Sequence, residues 1–189
     1  GGISMKPMVK LTQSVLRVIS CIVLLLIGSI MAQDKREEKM KPAPLPASAE
    51  WQKLKSLVGE WKGVFEEGGQ KLQGILEVRL TADGSALMHW MDKGSPHEMI
   101  TMIHPDGPKI LATHYCAAHN QPRLEMTAAP GPNQIAFNFK DGTNIAPGAG
   151  HMRRLVIEFL DADHHNATWT YQEKGKDMPP STFHYTRVK

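Results

Sequence analysis

Cysteine is almost missing from this sequence. Two occur in 189 residues, Cys21 and Cys116, and Cys21 lies in an N-terminal stretch that reads as a removable leader. Without that leader no intramolecular disulfide can form, so stability must come from an apolar core, which a chain of this length can build. Cys116 is then either a buried, inert thiol or a functional one, and burial is the commoner state. A surplus of one charge sign is lacking too. The chain has 22 basic and 19 acidic residues; three basic ones (Lys6, Lys10, Arg17) and no acidic ones precede residue 33, so the remainder balances to zero. That argues against nucleic-acid binding, which wants a basic stripe. There is no HExxH, no paired-cysteine zinc spacing, no Gly-x-Ser-x-Gly elbow and no phosphate-cradling glycine loop.

The one long apolar run, Val18 to Ile30, has 13 residues, against roughly 20 for a comfortable membrane span. Residues 1–4 precede Met5 and read as upstream sequence or an expression remnant. Residues 5–32 have the layout of a secretory signal peptide, with a basic start, a short apolar centre and a small-residue boundary at Ser29, Met31 and Ala32. The protein is therefore expected to be exported, periplasmic or extracellular, with no membrane span after cleavage. Retention of the segment as an anchor is the other reading. Lipid attachment at Cys21 is disfavoured because the main apolar run follows the cysteine instead of preceding it.

Residues 33–49 combine a charge-rich start with Pro42, Pro44 and Pro46, the composition of a flexible tether. Within the domain expected at 50–189, Trp51, Leu54, Leu57 and Val58 are spaced as one face of a short helix ending at Gly59. From there the period changes. Segments rich in β-branched and aromatic residues predict strands near 60–67, 71–80, 85–92, 97–104, 109–117, 123–129, 134–139, 151–160, 166–174 and 181–188. Between them lie turn signals such as Glu67-Gly68-Gly69, Asp83-Gly84 and Asp106-Gly107-Pro108. Ten short strands with no helices between them predict an all-β antiparallel meander closed into a barrel. The stretch 140–150 is long for a hairpin and reads either as a flap at a cavity mouth or as a surface insertion.

The segment from Leu54 to Gly63, LKSLVGEWKG, resembles the opening of the lipocalin-like, or calycin, barrels, and most of all uncharacterised bacterial exported proteins of that shape. The resemblance implies that Gly59 and Trp61 begin the first strand, that Trp61 closes one end of the barrel, and that a basic residue of the last strand, Arg187 by position, packs over its ring. Such a cation–π contact is worth about 0.5–2 kcal/mol. Some members of this broad group hold haem through a histidine near the C-terminus, which directs attention to His184. The glycine-rich first-strand pattern of those haem binders is interrupted here by Phe65, Glu66 and Glu67.

The densest polar group lies between Thr113 and Arg123. On a regular strand His114 and Cys116 share a face, with His119, Asn120 and Arg123 on the following turn. These residues could orient a polar or anionic group of a ligand; the structural alternative is a shaped turn beside a core cysteine. As a nucleophile and base, Cys116 and His114 would stand roughly 7 Å apart along one strand, too far for proton transfer. The other histidines read as scattered, with His164 and His165 in a turn, and no resident cofactor or metal is expected apart from the haem comparison. Met88, Met91, Met99 and Met102 read as core filling or as an adaptable cavity wall.

Three functions follow from this reading. The first is binding of a small apolar or amphipathic ligand in a barrel cavity. The second is an enzyme using the same cavity. The third is an envelope-associated structural or interaction module with a packed barrel. Oligomeric state is not legible.

Overall fold

A computed structural model describes residues 48–189. The leader expected at 5–32 and residues 33–47 of the tether expected at 33–49 lie outside the described residues; the last two tether residues, Ser48 and Ala49, instead cap and begin a helix, and among the described residues no helix is long and apolar enough to cross a membrane.

The domain opens with helix α1, Ala49–Lys55. Ser48 caps it by accepting a hydrogen bond from the Trp51 amide at 3.1 Å, Glu50 stands in the first turn, and Lys53 and Lys55 stand in the last. That distribution suits the helix dipole. Trp51, Leu54 and Leu57 are buried, whereas Val58 turns to solvent. The helix ends before Val58, so its apolar stripe is one residue narrower than the spacing predicts.

Eleven strands follow: β1 Gly59–Glu67, β2 Gln70–Thr81, β3 Ala86–Met91, β4 Met99–Asp106, β5 Lys109–Tyr115, β6 Gln121–Thr127, β7 Gln134–Thr143, β8 His151–Phe159, β9 His164–Glu173, β10 Lys176–Asp177 and β11 Ser181–Arg187. Strands β1 to β9 pair in sequence order, β11 joins β9 to β1, and every pairing is antiparallel. The ten long strands thus close into a lipocalin-like barrel, which leaves no long edge unpaired. Strand β10 is a two-residue addition on β9, too short to signal itself in sequence.

Two segments depart from expectation. β7 continues past a bulge at Lys140 through Asp141, Gly142 and Thr143, which pair with Arg123, Pro122 and Gln121 of β6. Its outer face is tied by ion pairs of Arg123 with Asp141 and of Lys140 with Glu125, so turn-like composition is overridden by cross-strand partners. The remaining loop is correspondingly short. His164 and His165 begin β9 instead of forming a turn.

At one barrel end Trp61 and Arg187 pack together. Trp61 is 1% exposed, its indole N–H donates to the Leu57 carbonyl at 2.8 Å, and the Arg187 guanidinium lies 4.0 Å from its ring centre. Arg187 also donates to the Val58, Ser56 and Ala162 carbonyls at 2.8, 2.9 and 3.0 Å. Gly59, at φ 140°, leaves room for that guanidinium, since a Cβ here would stand 2.6 Å from Arg187 Nη1. Gly59→Ala is expected to cost about 1–3 kcal/mol from backbone strain and displacement of Arg187; a lowered urea midpoint with an unchanged slope would register it.

Candidate functional site

At the end opposite Trp61 the interior is open. Alternation along the strands sends Phe65, Leu72, Met99, Trp169 and Phe183 toward a hollow of about 1040 Å³, and a bulge in β8 between Met152 and Arg154 adds Met152 to its lining. Its lining also includes Lys62, Val64 and Ile75, whose strand parity points outward, so the enclosed part is smaller than the whole. The size lies at the upper end of the usual range for small-molecule sites. Polar groups gather at the rim, among them Lys62, Lys93 and His97. Of the methionines singled out in sequence, Met99 lines the hollow, Met91 is core, and Met88 and Met102 pair with each other across β3 and β4. No residue between 140 and 150 lines it, so that stretch is not a flap at this mouth.

Beneath the floor lies a polar layer. His89 pairs with Thr101, and Thr101 with His114, in direct cross-strand register on β3, β4 and β5. All three are buried, and the Thr101 hydroxyl shares a 2.8 Å hydrogen bond with His114 Nδ1. On the other wall His165 pairs with Tyr185, and their rings stack at 4.9 Å. The edge of Trp61 meets His165 at 4.3 Å. His114 lies 4.9 Å from Trp169, so Trp169 separates the layer from the hollow.

Burial sets the chemistry of these rings. It pushes His114 down to about 4 and His165 down to about 4, helped by the Arg187 charge. His89 falls to about 3 through burial, reinforced by His165 and His114. The rings are therefore neutral near pH 7, each offering one donor and one acceptor. Burial, with a contribution from Asp92, holds the Tyr185 phenol above its ordinary range. Among the described residues no three metal-ligating side chains come together around one point.

The residues singled out in sequence separate. His114 faces the interior, but β5 ends at Tyr115 and Cys116 enters a turn, half-buried. There the Cys116 amide donates to the Asn120 carbonyl at 3.1 Å. The shared face expected for His114 and Cys116 fails because the strand stops between them. His119 is exposed, at φ 59° in that turn. Asn120 is buried and ties the turn to the Gly150 carbonyl at 2.8 Å. Arg123 is exposed and paired with Asp141. His184 is exposed on the outer face, where Nδ1 is 2.8 Å from Asn166 Oδ1. A haem seated in the barrel is out of its reach, and the residues present do not fit haem held by His184.

His89 and His165 escaped the sequence reading although a signal was present. Leu87, His89 and Met91 share one strand parity, and His165 extends the inward series of Ala167, Trp169 and Tyr171.

Comparison with solved structures supports the architecture. Rv2717c from M. tuberculosis superposes with a TM-score of 0.53 at 13% identity, over 76% of this chain and all of that one. A protein of unknown function from the DUF3598 family of Nostoc punctiforme gives 0.51 at 13% identity, over 79% of this chain. This chain spans about half the length, 53%, of the Nostoc protein. Identities this low speak to the fold alone. No family model and no curated protein matches the chain.

Proposed function

We propose that this protein is an exported carrier or receptor for a small apolar or amphipathic molecule, held at the open end of the barrel. The observation that carries the reading is the hollow walled by Phe65, Met99, Met152, Trp169 and Phe183. Aromatic and thioether side chains there offer adaptable apolar contact, while Trp61 and Arg187 pack together at the opposite end. A module whose barrel served only as packing would gain by filling that space, because each void forfeits dispersion contacts.

Native mass spectrometry of the protein purified without detergent tests the reading. A small-molecule adduct is expected, removed by organic extraction and diminished in a Met99→Trp/Met152→Trp double variant that narrows the hollow. A bare mass together with no uptake of added apolar probes would overturn it.

Export rests on residues 5–32. When the full chain is expressed with an intact secretion pathway, N-terminal sequencing of the released protein is expected to begin at or near Gln33. Recovery only as intact chain in the cytoplasm would contradict export.

A further inference from the structure

The interior of the barrel holds more hydrogen-bonding capacity than the fold uses. Both ring nitrogens of His89, both of His165 and Nε2 of His114 are buried and without a partner among the described residues, as is the Trp169 indole N–H. Unsatisfied buried polar atoms are costly, and five of them in one layer with a sixth on its partition are too many to be incidental. They come from β3, β5 and β9, which the barrel closure alone brings together. The layer also lies directly under the hollow. Met99 precedes Thr101 by two residues on the same face of β4, Trp169 packs on His114, and Phe183 stacks parallel to Tyr185 at 5.9 Å.

We propose that His89, Thr101, His114 and His165 form the inner end of the ligand site and receive an uncharged polar head, a hydroxyl or carbonyl, while the ligand's apolar body lies in the hollow above. This deepens the ligand-binding reading and rests on it. Trp169 is the partition, so a head reaches the layer when its side chain moves aside. A ligand hydroxyl both donates and accepts, matching neutral imidazoles that offer one of each. Charged heads fit poorly. An ammonium would be desolvated with no carboxylate in the layer to meet it. A carboxylate would find only neutral N–H donors and no countercharge to offset its desolvation, since protonating a ring whose pKa is about 4 is about a thousandfold unfavourable at pH 7. The fixed cation nearby, Arg187, is already engaged by three carbonyls and the face of Trp61.

The test uses the barrel with N-phenyl-1-naphthylamine as an uncharged fluorescent occupant of the hollow, displaced by 1-decanol, decanoate or decylammonium at pH 7.4. Decanol is expected to compete at least tenfold better than either ion, and to shift the imidazole 15N resonances of His89, His114 or His165. Thr101→Val and His89→Leu are expected to weaken decanol at least tenfold while naphthylamine binding stays within twofold. The wild-type 15N spectrum reads the contact without relying on any variant's folding. If naphthylamine binds but decanol leaves the imidazole resonances unmoved, or decanoate competes equally, the polar inner end is overturned and the hollow survives. If no probe binds at all, the ligand-binding reading itself falls.

Discussion

Acidification from pH 8 to pH 5 is expected to destabilise this domain by about 2 kcal/mol for each of His89, His114 and His165. All three are held neutral in the folded barrel, with pKa values of about 3, about 4 and about 4. In the unfolded chain each returns to about 6.5. The unfolded state therefore binds more protons below pH 6.5, and stability rises with pH through that window. The contribution is fully present above pH 6.5, is lost as pH falls toward 4, and changes little below pH 3. The slope approaches about 1.4 kcal/mol per pH unit for each ring once the unfolded histidines are charged. Carboxylates such as Glu77, Glu125 and Glu158, all held below their ordinary range by hydrogen-bonded partners, add their own loss only below about pH 4.5, so the interval from 6.5 to 5 isolates the histidines. Urea unfolding followed by tryptophan fluorescence at pH 8, 7, 6 and 5 measures it. A midpoint independent of pH over that range would show that the rings are solvated or charged in the native state.

The second large effect is expected at the Trp61 end. Trp61→Ala should cost about 3–5 kcal/mol, as for other fully buried large aromatics. The indole touches three different parts of the structure: it donates to the segment after α1 through Leu57, carries the Arg187 guanidinium from β11 on one face, and meets His165 of β9. Truncation removes the apolar burial and leaves a cavity beside a cation that has lost its aromatic partner. Trp61→Phe keeps a ring for Arg187 and should cost less than half as much, the loss being the Leu57 hydrogen bond and part of the area. Since whole domains are stable by only about 5–15 kcal/mol, the alanine variant should be visibly compromised at ordinary temperature. Equal midpoints for Trp61→Ala and wild type would refute that structural role.

The container was far more legible than its contents. Strand positions follow from period-two alternation between glycine and aspartate turns, because a barrel wall has an inside and an outside and each strand must declare both. The contact between Trp61 and Arg187 has only a local pattern and a position at the end of the last strand to mark it in sequence. The polar layer was not legible, because strand parity turns His89 inward without saying what it meets there, and His165 follows another histidine in a turn-like context. What places His89 beside Thr101 and His114 is register across three strands, a relation invisible along one chain. Cys116 shows the converse. Spacing put it on the face of His114, but the strand ends one residue earlier, and parity has no meaning beyond a strand's end.

The most direct test is titration of the purified barrel with N-phenyl-1-naphthylamine at pH 7.4, comparing wild type with Met99→Trp/Met152→Trp. Saturable one-to-one enhancement of probe emission in the wild type, with tryptophan-sensitised transfer from Trp169, and its reduction in a double variant that remains folded, is the expected result. Equal binding by both proteins, or none by the wild type, would contradict a ligand site at the open end of this barrel.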